Sequence, residues 1–205
     1  VTGDTKVVPR GAADKLFINT AGIGAIPADI RWGTQQISAG DVLLVSGTLG
    51  DHGATILNLR EQMGLDGALS SDCAVLTPLI QTLRPLSGVK ALRDATRGGV
   101  NAFAAASGCG IELQEATLPV NDTVRGVCEL LGLDALNFAN EGKLVLAVAR
   151  DEAENVLAHL RSHALGRDAA IIGEVVARPG VRSVGLYGVK RTLDLPHAEP
   201  LPRIC

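Results

Sequence analysis

Five short aliphatic runs recur along the chain. Each is fenced by glycine or small polar residues and separated from the next by a segment with helical spacing. They are DVLLVS at 41–46, VKALRD at 89–94, GIELQEA at 110–116, KLVLAVA at 143–149 and DAAIIGEVV at 168–176. Residues 41–46 read as a buried strand, LLV flanked by turn formers, and the other four runs read as strands too. The segments 54–63, 100–107, 121–132 and 150–163 predict helices, the third with Asn121 as its cap. Segment 72–83 predicts an apolar helix, with Pro78 either a kink or the boundary of a first turn. Strands alternating with helices argue for an α/β architecture with helices packed on a sheet. Only 2% of residues are aromatic against 46% hydrophobic, so Val, Leu, Ile and Ala must build the core.

The ends are less regular. Residues 15–26 (KLFINTAGIGAI) are a strand-like run followed by glycines, and 181–189 (VRSVGLYGV) predict one more strand. Residues 191–205 carry no periodicity. The fourteen residues after Arg191 reach about 46 Å if extended at ~3.3 Å each. The sequence opens on Val1 within VTGDTKVV, which reads like the interior of a protein, so a preceding N-terminal portion is expected.

Charge and cysteines exclude several classes. Net charge is −3 with acids and bases interspersed, which gives no electrostatic case for nucleic acid or an anionic membrane surface. No run approaches ~18 uninterrupted apolar residues, so no transmembrane helix is predicted. No secretory signal is visible, and none of the four cysteines forms a C-x-x-C pair. A reducing, cytoplasmic setting is expected. Cys73, Cys109 and Cys128 lie among apolar residues and read as small core side chains. Cys205, the last residue, has little to pack against.

Four polar clusters interrupt the apolar pattern. In GDTKVV (3–8), Asp4 and Lys6 sit two apart on an extended segment and so share a face. That fits a metal–phosphate contact or an exposed strand end. GTLGDHG (47–53) is a glycine-rich loop before a helix, either an anion cradle or a plain turn. RDATRGG (93–99) is the densest cluster. Its arginines suit bidentate contact with phosphate, or an Arg–Asp pair at a tight strand-to-helix turn. FANEGK (138–143) places Glu141 at a strand entry, in a catalytic or a merely solvated position.

Taken together, VTGDTKVV, RDATRGG, NEGK before a strand and the closing PRIC resemble the HypE hydrogenase-maturation carbamoyl dehydratases, within the PurM-like, AIR synthase-related superfamily. The resemblance runs over essentially all 205 residues. GDTK or RDATRGG alone would point only to the superfamily, and PRIC points to HypE within it. The resemblance implies a PurM-like C-terminal α/β (α+β) domain at 29–176, with a mixed sheet flanked by helices. It implies the end of an N-terminal ATP-binding domain at 1–28, and a C-terminal segment with a mobile tail at 177–205.

For function, the resemblance implies that Cys205 carries a carbamoyl group placed there by the carbamoyltransferase HypF. ATP-dependent dehydration then turns the S-carboxamide into an S-cyanate. The cyano group passes to iron on a HypC–HypD scaffold and becomes a cyanide ligand of [NiFe]-hydrogenase. ATP and Mg²⁺ are the implied cofactors and a homodimer the implied state. Lys6 falls in the family segment near the nucleotide and the reacting tail, together with Asp4 (also a Mg²⁺ ligand) and Thr5. Glu141 matches a base or orienting residue. Arg93, Asp94, Arg97 and Gly98 match a turn that faces the phosphates or supports the cleft.

Two departures stand out. Most of the family's N-terminal domain is absent, and the stretch after TRGGV is shorter by a few residues. The 205 residues alone are therefore expected not to dehydrate a carboxamide. Two other readings compete. Another PurM-like synthetase, such as an aminoimidazole ribonucleotide or selenophosphate synthetase relative, would have no use for a terminal cysteine. A carrier and docking module would present Cys205 without ATP chemistry of its own.

Overall fold

The computed structural model describes residues 22–65, 67–96 and 99–193, with residues 99, 101 and 102 described by their backbone alone. The chain divides into two compact units, Val1–Ile30 and Arg31–Cys205. Residues 22–30, the described part of the first unit, contain neither helix nor strand. The second unit carries the sheet.

Seven strands form that sheet: β1 (Val42–Val45), β2 (Val89–Asp94), β3 (Gly110–Gln114), β4 (Leu144–Val148), β5 (Ala170–Val176), β6 (Gly180–Val184) and β7 (Lys190–Thr192). Their order is β2-β4-β1-β5-β3-β6-β7. All neighbours pair antiparallel except β3 and β6, which are parallel. The sheet is therefore mixed, as expected, and continues past residue 176 through β6 and β7.

Strands β1 and β4 are buried at every position. The period of two still operates within them. Leu43, Val45, Val145 and Ala147 face one core, with Phe103 of α3 (Gly99–Ser107). Val42, Leu44, Leu144, Leu146 and Val148 face the other, with α2 (Thr77–Leu83) and α5 (Ala153–Arg161). Two covered faces are why these strands read as continuous apolar runs. A third, smaller core joins α1 (Asp51–Glu61) to α4 (Asp122–Leu131) through Leu57, Val124, Val127 and Phe138.

Several local expectations are corrected. Helix α1 begins at Asp51 and ends at Glu61, not 54 and 63. Gly50 is its N-cap at φ 89°, a left-handed conformation that suits glycine, and the Asp51 carboxylate favours the positive end of the helix. The expected helix over 72–83 is confined to Thr77–Leu83, with Pro78 in its first turn, where the missing N–H costs nothing. Residues 71–76 run without helix or strand. Asn121 is the N-cap of α4 by backbone geometry, but its side chain makes no capping bond. It donates instead to Asp51 Oδ1 at 2.6 Å. Lys190–Thr192 form β7, so the segment read as lacking periodicity from Arg191 opens inside a strand.

The cysteines divide as well. Cys128 is buried and Cys109 half-buried, as core residues should be. Cys73 is exposed, because it falls in the irregular 71–76 stretch and has no helix face to bury it. Burial pushes the Cys128 thiol upward, Asp134 and Glu129 add to this, and Arg125 opposes it. A thiol raised in the folded state stabilises fully below the ordinary thiol pKa. That contribution is lost as pH rises through the raised folded value. At neutral pH, iodoacetamide is expected to label Cys73 at least about a hundredfold faster than Cys128. Peptide mass mapping over time checks this, and equal rates would contradict the burial of Cys128.

Candidate functional site

Antiparallel pairing brings three chain segments to one end of the sheet. Strands β1 and β2 both pair with β4 in the opposite direction. The residues leaving β1 (46–50) and β2 (95–96) therefore meet those entering β4 (140–143). A fourth segment, 71–74, crosses the same place.

Buried polar bonds tie the segments together. Asn140 is 4% exposed. Its Oδ1 accepts from Gly50 N at 2.8 Å, and its Nδ2 donates to the carbonyls of Ala95 at 3.2 Å and Phe138 at 3.3 Å. One amide thus links all three strand ends. Ser46 Oγ accepts from Leu144 N at 2.9 Å, and Ala95 N donates to Lys143 O at 2.9 Å.

Asp72 completes the arrangement. Its carboxylate is almost fully buried, accepts from Glu141 N at 2.9 Å through Oδ1, and places Oδ2 3.5 Å from Lys143 Nζ. Between those two partners lies Gly142. A Cβ on it would stand 1.9 Å from the Asp72 carbonyl oxygen and 2.9 Å from Ala74 N. Only glycine permits that approach of two backbones.

Glu141 is half-buried at this sheet end. Arg93 and Asp94, the last two residues of β2, are exposed there and pair across to Val145 and Leu144. The structure thus brings together Arg93, Asp94 and Glu141, which the sequence places 48 positions apart from end to end. Asp4, Thr5, Lys6, Arg97, Gly98 and Cys205 lie outside the described residues.

The loop at 47–53 is a turn built for packing rather than an open anion cradle. Gly50 N is taken by Asn140. Asp51 sits at the helix entrance with its carboxylate bonded to Thr48 Oγ1 and Asn121 Nδ2, and that negative charge opposes an anion. His52 is buried, with Nδ1 2.8 Å from Ser71 Oγ. Its Nε2 finds no hydrogen-bond partner among the described residues. Among those residues, no three His, Cys, Asp or Glu side chains converge to hold a metal ion.

Sequence reading missed Asp72, Asn140 and Lys143 as members of this cluster. Asn140 and Lys143 stand near Glu141 in FANEGK, yet nothing local marks an amide that will bond two distant backbones. Asp72 was absorbed into an expected helix. Pro78 six residues on was the available sign that the helix starts later.

Comparison with known proteins adds to the geometry. The family described as AIR synthase related protein, C-terminal domain, matches residues 38–185. The carbamoyl dehydratase HypE of Escherichia coli K12 is 81% identical over the whole chain, which spans 62% of that relative. The chain thus covers less than two thirds of the curated relatives it matches. A crystal structure of E. coli HypE, a hydrogenase maturation protein, superposes with TM-score 0.91 at 79% identity, over 98% of this chain and 63% of that one. A crystal structure of the hydrogenase maturation protein HypE in complex with ATP superposes with TM-score 0.76 at 35% identity, over 82% and 54% of the two chains. A HypE–HypF complex matches with TM-score 0.76 at 43% identity, over 80% and 55%. No described helix is long and apolar enough to cross a membrane.

Proposed function

The chain belongs to the AIR synthase related protein family, and from that premise we propose that it forms the C-terminal part of a HypE-type carbamoyl dehydratase. Such an enzyme converts an S-carboxamide on Cys205 into an S-cyanate at the expense of ATP. One observation carries the reading. Glu141 is fixed at the same sheet end as Arg93 and Asp94, in a chain that aligns throughout with a carbamoyl dehydratase.

The reaction sets the requirements. The oxygen of a carboxamide is a poor leaving group. Transfer of the γ-phosphoryl group of ATP to that oxygen, with loss of one nitrogen proton, gives ADP and an imidate phosphate. Loss of the second nitrogen proton and departure of inorganic phosphate leave the C≡N bond. Glu141 accepts a nitrogen proton, since a half-buried carboxylate beside the reacting group can act as a base. Lys6 and Arg93 supply positive charge for the phosphoryl oxygens. Asp94, Arg97, Gly98 and Thr5 shape the phosphate side of the cleft.

The tail delivers the adduct, making the encounter intramolecular. Asp4 is the residue proposed to hold Mg²⁺, which when bound would neutralise phosphate charge.

A carbamoyltransferase of the HypF kind is the proposed donor of the carbamoyl group, and the HypE–HypF complex among the relatives supports it. A HypC–HypD scaffold is the proposed acceptor of the cyano group. A homodimer in the cytoplasm is the proposed state and place.

Intact-mass measurement tests this. The chain is completed with the part of the E. coli relative it does not cover, then incubated with a carbamoyltransferase, carbamoyl phosphate and ATP. The Cys205 peptide is expected to gain a carbamoyl group and then lose one water. The 205 residues alone are expected to accept the carbamoyl group without losing water. A completed protein that hydrolyses ATP while the Cys205 peptide keeps its mass would overturn the proposal.

A further inference from the structure

We infer that Asp72 is a positioning residue for Glu141, fixing the proposed base through its main chain rather than by touching the substrate. The inference rests on the reading of Glu141 given above.

The main chain around Glu141 is held from several sides. Asn140, just before it, is locked by Gly50 N, Ala95 O and Phe138 O. Lys143, two residues on, accepts from Ala95 N. What remains is the peptide of Glu141 itself, and Asp72 Oδ1 holds its N–H at 2.9 Å. The same carboxylate engages the Lys143 ammonium through its other oxygen. One almost fully buried group therefore grips both sides of Gly142. The approach that makes this grip possible brings the Asp72 carbonyl to 1.9 Å from where a Gly142 side chain would begin.

This goes beyond an ordinary strand entry. Such an entry is satisfied by the backbone pairing already present between Lys143 and Ala95. Asp72 belongs to a different segment, 69 residues away in sequence, and its carboxylate is spent on the one peptide whose side chain the chemistry needs. A proton acceptor displaced by about 1 Å loses roughly a hundredfold in rate, so rigidity at this peptide has a kinetic consequence.

The two oxygens separate by substitution. Asp72→Asn keeps a carbonyl oxygen for the Glu141 N–H and removes the charge facing Lys143. Asp72→Ala removes both. In the completed protein, kcat for water loss from the Cys205 adduct is expected to fall about 30–100-fold in Asp72→Ala. It should stay within about threefold of wild type in Asp72→Asn, with KM for ATP unchanged in both. A purely structural role would lower melting temperature and spoil ATP binding together, without rescue by asparagine.

Should Asp72→Ala fail to fold, amide hydrogen exchange decides in its place. The Glu141 amide is expected to be protected in wild type and in Asp72→Asn. Exchange at the rate of an unstructured peptide in wild type overturns the inference, as does full turnover in a folded Asp72→Ala or a loss in Asp72→Asn equal to that in Asp72→Ala. Glu141→Gln keeps the two ideas apart. If it turns over normally, the reading of Glu141 as base falls. If it is inactive while Asp72→Ala is not, only the positioning role falls.

Discussion

With Cys205→Ala, the completed protein is expected to bind ATP with wild-type affinity and yet form no cyanate, a loss of at least about 10³-fold. The reason is covalent. The carboxamide to be dehydrated is attached to the thiol, so removing sulfur removes the substrate while leaving every nucleotide contact in place. The result also separates the competing readings. A PurM-like synthetase acting on a free substrate would keep its turnover in this variant. A carrier without ATP chemistry would lose group transfer but show no nucleotide-dependent thermal shift with or without the cysteine. The measurements are the mass of the C-terminal peptide and nucleotide affinity by calorimetry. Cyanide-ligated iron produced at the wild-type rate by the alanine variant would end the account of Cys205.

Gly142→Ala is expected to damage both fold and chemistry. The methyl group would meet the Asp72 carbonyl oxygen at 1.9 Å and Ala74 N at 2.9 Å, and both are main-chain atoms that no rotamer change can move. Segments 71–74 and 140–143 must part. Overpacking of this kind costs about 3 kcal/mol, which for a domain of this size lowers the melting temperature by roughly 6–12 °C. The parting also draws Glu141 N away from Asp72 Oδ1, so kcat should fall by about 100-fold even at temperatures where the variant is folded. Gly126→Ala is the control. It lies within α4 with nothing within 4 Å of the added methyl, and it should leave activity unaltered. A Gly142→Ala protein as stable as wild type would show that the two segments do not approach as described.

Much of the fold was legible because burial on both faces leaves a mark in the sequence. VLLV and LVLAV are uninterrupted apolar runs, since each alternate side chain enters a different core. The helices expected over 100–107 and 121–132 are found at Gly99–Ser107 and Asp122–Leu131. What misled was chemistry acting at a distance. Asn121 has the residue type of a cap, but its amide is drawn to Asp51, 70 positions away. Residues 72–76 have the apolar content of a helix, but Asp72 is committed to Glu141 and Pro78 starts the helix later. Cys73 lost its expected burial for the same reason.

The site was legible only as fragments. RDATRGG and NEGK were visible as polar interruptions of an apolar pattern, and their likeness to a family named their use. That Arg93, Asp94 and Glu141 share one end of a sheet follows from β2 and β1 both running antiparallel to β4, which no local spacing encodes. Composition and periodicity determined the class of architecture, the strand cores and the residue types available for chemistry, because these depend on neighbours in sequence. Tertiary structure alone decided that Asp72 and Asn140 would clamp the segment carrying Glu141, because hydrogen bonds between distant segments form only once chain pairing has brought their ends together.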